Sequence, residues 1–77
     1  MKSLSNISLQ DFRRALTALG LKCDRKRGGH EAWAKEGMSR PVIIQTHIDP
    51  VREFIVKNTL RNLGISRQEF ISLLENL

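Results

Sequence analysis

The chain is poor in the residues that build disulfides and metal clusters. It has one cysteine, two prolines, two histidines and no tyrosine among its 77 residues. A single cysteine excludes an internal disulfide and every metal pattern that needs several cysteines, and it favours a reducing compartment. Because no apolar run approaches the roughly 20 residues of a membrane span and no signal-peptide core is present, we expect a soluble cytoplasmic protein.

Cofactor and metal motifs are also missing from the sequence. It contains neither a glycine-rich phosphate loop followed by Lys and Ser or Thr, nor a His-Glu-x-x-His zinc pattern. We therefore expect no cofactor and no metal site.

Small size and positive charge limit the function classes that remain. A chain of 77 residues makes one domain, which buries only about 60% of the surface that its unfolded form exposes. Thirteen Lys and Arg against eight Asp and Glu give a formal net charge of +5, so an anionic partner is expected. Charge alone leaves nucleic acid, an acidic protein and an anionic membrane surface open.

The first half of the chain predicts one helix and two strands. Apolar residues recur at helical spacing over about residues 9 to 19, Ser8 and Asp11 resemble a capping box, and Gly20 suits the position past the helix end. From Leu21 an alternating pattern predicts a strand that runs into three cations. The following Gly-Gly pair predicts a tight hairpin, after which "HEAWAK" extends as the second strand.

The second half predicts a strand and two helices. The segment "VIIQTH" is rich in β-branched residues, which favour a pleated surface. Asp49 is expected to cap the next helix, with Pro50 at its first position. The apolar stripe of that helix is predicted to contain Val51, Phe54, Ile55, Leu60 and Leu63. Ser66 and Glu69 form a capping box before a short amphipathic helix over about residues 67 to 76.

This order predicts a single α+β domain over residues 1 to 77. Three antiparallel strands follow the first helix, and the helices are expected on one face of the sheet. Strand parity places His30, Ala32 and Ala34 on one face, and Glu31, Trp33 and Lys35 on the other. The pattern leaves open which of these faces packs against the helices.

The segment "RKRGGHEAW" carries the candidate chemistry. RNA cleavage needs little from a protein, because the substrate's own 2′-hydroxyl attacks the adjacent phosphorus once a base removes its proton. Histidine suits that proton transfer, and cations stabilise the charge on the phosphate. His30 is therefore the candidate catalytic residue. The candidate RNA and phosphate contacts are Arg25, Lys26, Arg27, Gly28 and Gly29, with Arg13 and Arg14 of the first helix.

Each of these features also has a structural interpretation. A basic hairpin with glycines is often only a solvated turn. Trp33 either stacks on a base or packs against the sheet. His47, at the end of the third strand, either neighbours the hairpin or only closes the sheet, so both residues are accessory candidates.

Position and order make the chain resemble the HicA family of small toxins from bacterial type II toxin-antitoxin modules. In that family "G-S-H" opens the second strand of a fold like the double-stranded RNA-binding domain. The matching residues here are Gly28, Gly29 and His30, preceded by "LGLKCDRKR" and followed by "VIIQTHIDP" and "TLRNLGIS". The resemblance covers about residues 7 to 66, and the last helix extends it. The chain departs from the family pattern in two ways: Gly29 replaces the serine, and Gln45, Thr46 and His47 replace a proline-histidine ending.

The resemblance implies an mRNA endonuclease that acts without a metal, with His30 as its catalytic histidine. It also implies an acidic antitoxin of the HicB type that covers His30 and neutralises the toxin. We expect no membrane partner. Two alternatives come from other classes of protein. One is an RNA-binding module without catalysis, and the other is a protein-interaction domain for an acidic partner.

Overall fold

A computed structural model describes residues 3 to 77 as an α+β domain with three helices and one antiparallel sheet. The elements are α1 (Leu9–Ala18), β1 (Lys22–Arg27), β2 (His30–Ala34), β3 (Val42–Gln45), α2 (Glu53–Leu63) and α3 (Arg67–Glu75). Their order is the predicted one. The strands lie in the order β1-β2-β3, so β2 is central and β3 forms one edge.

Local signals place α1 and α3 where the sequence predicts them. The Ser8 hydroxyl accepts a hydrogen bond from the backbone N–H of Asp11 at 3.0 Å, which caps α1. Ser66 and Glu69 form both hydrogen bonds of a capping box at the start of α3. Both caps join groups three residues apart, so they do not depend on the rest of the fold.

The expected cap of α2 by Asp49 is wrong. Asp49 Oδ1 instead accepts a hydrogen bond at 2.9 Å from the backbone N–H of Leu9, in the first turn of α1. An isolated antiparallel bridge between Ile7 and Val51 keeps the chain extended beyond Pro50. The helix α2 therefore begins only at Glu53, with Arg52 as an N-cap residue that makes no side-chain cap.

The predicted apolar stripe of α2 is also wrong at two positions, because Val51 precedes the helix and Phe54 is exposed. The helix buries Val56, Thr59 and Leu60, whereas Phe54 is 56% exposed. Phe54 precedes Val56 by two residues, which at 3.6 residues per turn is about 200° around the helix axis. The face with Val56 and Leu60 packs into the core, so Phe54 faces away from it.

A single core joins the helices to one face of the sheet. Its most deeply buried side chains include Phe12 and Leu16 of α1, Ile44 of β3, Val56 of α2 and Phe70 of α3. The rings of Phe12 and Phe70 meet edge to face, with centroids 6.1 Å apart. The last helix therefore contributes to the core of the domain. Within residues 3 to 77 no helix has the length and apolarity needed to cross a membrane.

Candidate functional site

The hairpin between β1 and β2 presents His30 directly opposite Arg27. Gly28 has a φ angle of +58°, which the first central position of a primed hairpin turn requires. Arg27 pairs with His30, Lys26 with Glu31 and Arg25 with Ala32. Side chains of directly opposed residues lie on the same face, with their Cβ atoms about 4.5–5.5 Å apart. A guanidinium and an imidazole therefore emerge side by side at the first pair after the turn.

The two faces of the sheet differ sharply in burial. Glu31 of β2 and Ile44 of β3 are paired, and both are buried in the core. Trp33 is half-buried on this face and packs against the core. His30 and Ile43 are exposed on the other face. Of the two arrangements that strand parity allows, the structure thus has Trp33 on the core side and His30 on the open side.

The three cations of the hairpin are divided between these faces. Arg25 and Arg27 are exposed and share the open face with His30, because their partners are Ala32 and His30. Lys26 pairs with Glu31 and so lies on the core side of the strand. The irregularity in β1 falls between Cys23 and Arg25, away from the glycines, so it does not disturb this placement. The cationic surface at His30 consists of Arg25 and Arg27.

Glu31 is a buried carboxylate that the sequence interpretation assigned no role. It is 5% exposed and accepts hydrogen bonds from Arg13 Nε at 3.1 Å, Arg13 Nη2 at 2.8 Å and Trp33 Nε1 at 2.9 Å. The hydrogen bonds from Arg13 lower the pKa of Glu31 below its ordinary value, against the effect of burial, and the indole of Trp33 adds to the lowering. Trp33 and Arg13 are thus both engaged on the core face.

The two arginines of α1 do not join the surface at His30. Arg13 holds Glu31, and the exposed Arg14 lies 4.0 Å from Asp11 on its own helix. Neither arginine lines the concave surfaces next to His30. The sequence grouped them with the hairpin by charge, but α1 packs on the opposite side of the sheet.

His47 lies over the hairpin turn. It follows β3, and the backbone N–H of Thr46 donates to the carbonyl of Gly29 at 2.8 Å. A Cβ atom on Gly29 would be 3.2 Å from His47 Nδ1, which is tighter than an ordinary contact. The ring of His47 therefore lies in the space next to the backbone of Gly29, and His47 neighbours the hairpin.

Two concave surfaces meet at His30. The first lies over the open face of the sheet and is lined by Arg25, Arg27, Ala32 and Ile43, and the acidic residues Asp24 and Glu31 line it as well. The second is a groove of about 730 Å³ between β3 and α2, and His30 and Gln45 line it as well. Both concavities are lined by His30, Pro41 and Ile43, so a ligand with one part in each would cross the surface that these three residues form.

No group of three or more His, Cys, Asp or Glu side chains within residues 3 to 77 is arranged to hold a metal ion. The chain matches no protein-family model, no curated protein and no solved structure. The chemistry of the site therefore rests on its own geometry.

Proposed function

We propose that this chain is an endoribonuclease toxin of the HicA type, with a fold like the double-stranded RNA-binding domain. The placement of His30 opposite Arg27, with Arg25 farther along the same exposed face, carries the proposal. It puts the residue type best suited to proton transfer near neutral pH next to two bidentate phosphate donors. The order α1-β1-β2-β3-α2 agrees with the family resemblance.

The proposed reaction uses the substrate's own nucleophile. His30 takes the proton of a 2′-hydroxyl, the freed oxygen attacks the adjacent phosphorus, and the bond from phosphorus to the 5′-oxygen breaks. A second proton reaches the leaving 5′-oxygen. Arg25 and Arg27 stabilise the charge that grows on the phosphate oxygens. The products are a 2′,3′-cyclic phosphate and a 5′-hydroxyl, which end-group analysis of the RNA fragments identifies.

His47 is the accessory candidate for the second proton. Its ring lies over Gly29, one residue from His30 in the chain, so both imidazoles are at the same end of the sheet. Under this assignment His47→Ala slows cleavage, and the loss is smaller than that caused by His30→Ala. Cleavage at the full rate by His47→Ala would remove His47 from the mechanism.

The experiment that tests the function compares wild type with His30→Ala. Because His30 is exposed, the variant should keep its stability within about 0.5 kcal/mol. It should bind RNA, yet lose RNA fragmentation and growth arrest, since general acid–base catalysis is worth about 10²–10⁴ in rate. Equal fragmentation by both proteins would refute the role of His30. RNA binding without fragmentation by either protein would favour a non-catalytic RNA-binding module.

A toxin of this type also needs a neutralising partner, and we propose an acidic protein of the HicB type. The net charge of +5 and the cationic open face favour an acidic partner that covers His30 and blocks access of RNA. The product of a neighbouring gene should co-purify with the chain and suppress its RNA binding. A complex in which added RNA is still cleaved would count against inhibition by covering the site.

A further inference from the structure

The groove between β3 and α2 has features that phosphate binding and proton transfer at His30 do not use. It is open to solvent and holds two large exposed apolar side chains, Phe54 at 56% and Ile43 at 46%. An exposed phenylalanine is costly to keep in water, because its apolar surface stays hydrated. Exposed apolar residues gathered in one concavity mark a binding surface rather than scattered surface variation.

Polar and cationic groups line the same groove. Asn58 is exposed and its side-chain amide makes no hydrogen bond within residues 3 to 77, so that amide can both donate and accept. The backbone carbonyl of Arg40 accepts a hydrogen bond at 3.0 Å from Asn62 Nδ2, which ties the loop before β3 to α2. Arg40 and Arg61 line the groove, and no Asp or Glu does. This composition suits an anion that carries a flat, partly apolar group.

A nucleotide has that chemistry. Its base offers a π-face to Phe54 and hydrogen-bonding edges to Asn58, while its phosphates are complementary to Arg40 and Arg61. The volume of about 730 Å³ lies within the range of about 300–1,000 Å³ that small-ligand sites occupy. His30 lines this groove and also the concavity with Arg25 and Arg27, so a base in the groove is continuous with a phosphate at the imidazole.

We propose that the groove between β3 and α2 binds an unpaired base of single-stranded RNA beside the phosphate that is cleaved. This inference rests on the proposed ribonuclease function and adds the substrate class. A base in an A-form duplex is stacked and paired, and its edges lie in grooves that side chains read poorly. Only a base released from pairing can enter the groove that Phe54 and Asn58 line.

The test measures binding to RNA in the His30→Ala background, where the substrate stays intact. Phe54→Leu keeps an apolar side chain and removes the ring. It should weaken the binding of a single-stranded oligoribonucleotide about tenfold, in line with the stacking contribution of one base, and leave the affinity for duplex RNA of equal length unchanged. An oligonucleotide with one abasic position at the cleavage site should bind the protein with Phe54 about tenfold more weakly than the intact oligonucleotide does. Adding Phe54→Leu should not weaken the binding of this abasic oligonucleotide further.

A second pair of variants tests the polar side of the groove. Asn58→Ala should change the preference among the four bases at the nucleotide next to the cleavage site. Gln68→Ala removes an exposed amide from α3, outside the groove, and should leave the preference unchanged. Equal cleavage patterns from both variants would remove Asn58 from base recognition.

Three results would overturn the inference. The first is an equal loss of affinity for single-stranded and duplex RNA, and the second is no loss for either. The third is unchanged RNA binding together with lost binding of the acidic partner, which would make the groove a protein-docking site. In all three the wild type still binds and cleaves RNA, so the ribonuclease proposal survives them. Absence of RNA binding by wild type at low salt would refute both proposals.

Discussion

Arg13 of α1 donates two parallel hydrogen bonds, of 3.1 and 2.8 Å, to the carboxylate of Glu31 in β2. The fork of the guanidinium matches the two carboxylate oxygens, and Trp33 donates a further hydrogen bond to Oε1. The pair joins the first helix to the central strand immediately behind His30. It thereby contributes to the orientation of the strand that presents the histidine.

Removal of Arg13 should destabilise the protein. Arg13→Ala leaves the carboxylate of Glu31 buried without its main partner, which should lower the free energy of unfolding by about 1–3 kcal/mol. Arg13→Lys keeps the charge and loses the fork, so it should fall between Ala and wild type. Arg14→Ala is the matched control on the same helix, and it should change stability by less than about 0.5 kcal/mol. Urea unfolding at pH 7 measures all three, and equal losses at positions 13 and 14 would contradict the assignment.

The same pair predicts how stability depends on pH. The hydrogen bonds from Arg13 hold the pKa of Glu31 below its ordinary value, so the folded state favours the ionised form. This contribution is complete above the ordinary pKa of a glutamate side chain, 4.5, and it disappears as the pH falls through the lower pKa of the folded protein. As the pH is lowered from about 5, the free energy of unfolding should therefore fall less for Glu31→Gln than for wild type. Denaturant titrations at several pH values measure this difference. A wild-type slope in the variant would refute the role of Glu31.

The split of the hairpin cations between two faces predicts unequal effects on RNA binding. Arg25→Ala and Arg27→Ala should each weaken binding and lower the slope of log affinity against log salt by about 0.7, the value for one phosphate contact on a single strand. Lys26→Ala makes the same change of charge on the same strand, but on the core side. It should have the smaller effect on both quantities. Equal slopes for all three variants would show that only overall charge matters.

The two hairpin glycines should respond differently to a methyl group. Gly28 has a positive φ angle, so Gly28→Ala should destabilise the hairpin by about 1 kcal/mol. Gly29 has no such requirement, but its new Cβ would meet His47 Nδ1 at 3.2 Å. In a His47→Ala background, Gly29→Ala should raise the free energy of unfolding by about 0.4–1 kcal/mol, because alanine lowers the conformational entropy of the unfolded chain. With His47 present, the same substitution should raise it by less. Thermal unfolding of wild type, Gly29→Ala, His47→Ala and the double variant measures this coupling. Additive effects of the two substitutions would show that His47 does not crowd position 29.

The phenylalanines of α2 and α3 offer a matched comparison of burial. Phe70 is fully buried against Phe12, whereas Phe54 is 56% exposed. Phe70→Leu should cost about 1–3 kcal/mol through the cavity and the lost ring contact. Phe54→Leu should cost less than about 0.5 kcal/mol, which also makes it suitable for the RNA-binding test. Similar losses at both positions would mean that Phe70 does not anchor α3 in the core.

The elements that the sequence predicted correctly depend on short-range physics. The caps at Ser8 and at Ser66 with Glu69 join groups three residues apart, and a pair of glycines is enough to turn a hairpin. Alternation in "HEAWA" also placed His30 and Trp33 on opposite faces without tertiary information. These features were determined by the sequence alone, because each depends on a few neighbouring residues.

Only the tertiary structure decided which face of the sheet is buried and which distant groups meet. Asp49 caps α1 from 40 residues away, and Glu31 is held by an arginine that the sequence had grouped with the phosphate contacts. Phe54 lies in a groove for two reasons. The bridge between Ile7 and Val51 keeps the chain extended, so that α2 begins only at Glu53, and the helix packs its opposite face, with Val56 and Leu60, against the core. Such pairings are set by the packing of whole elements around one core, which no local pattern encodes.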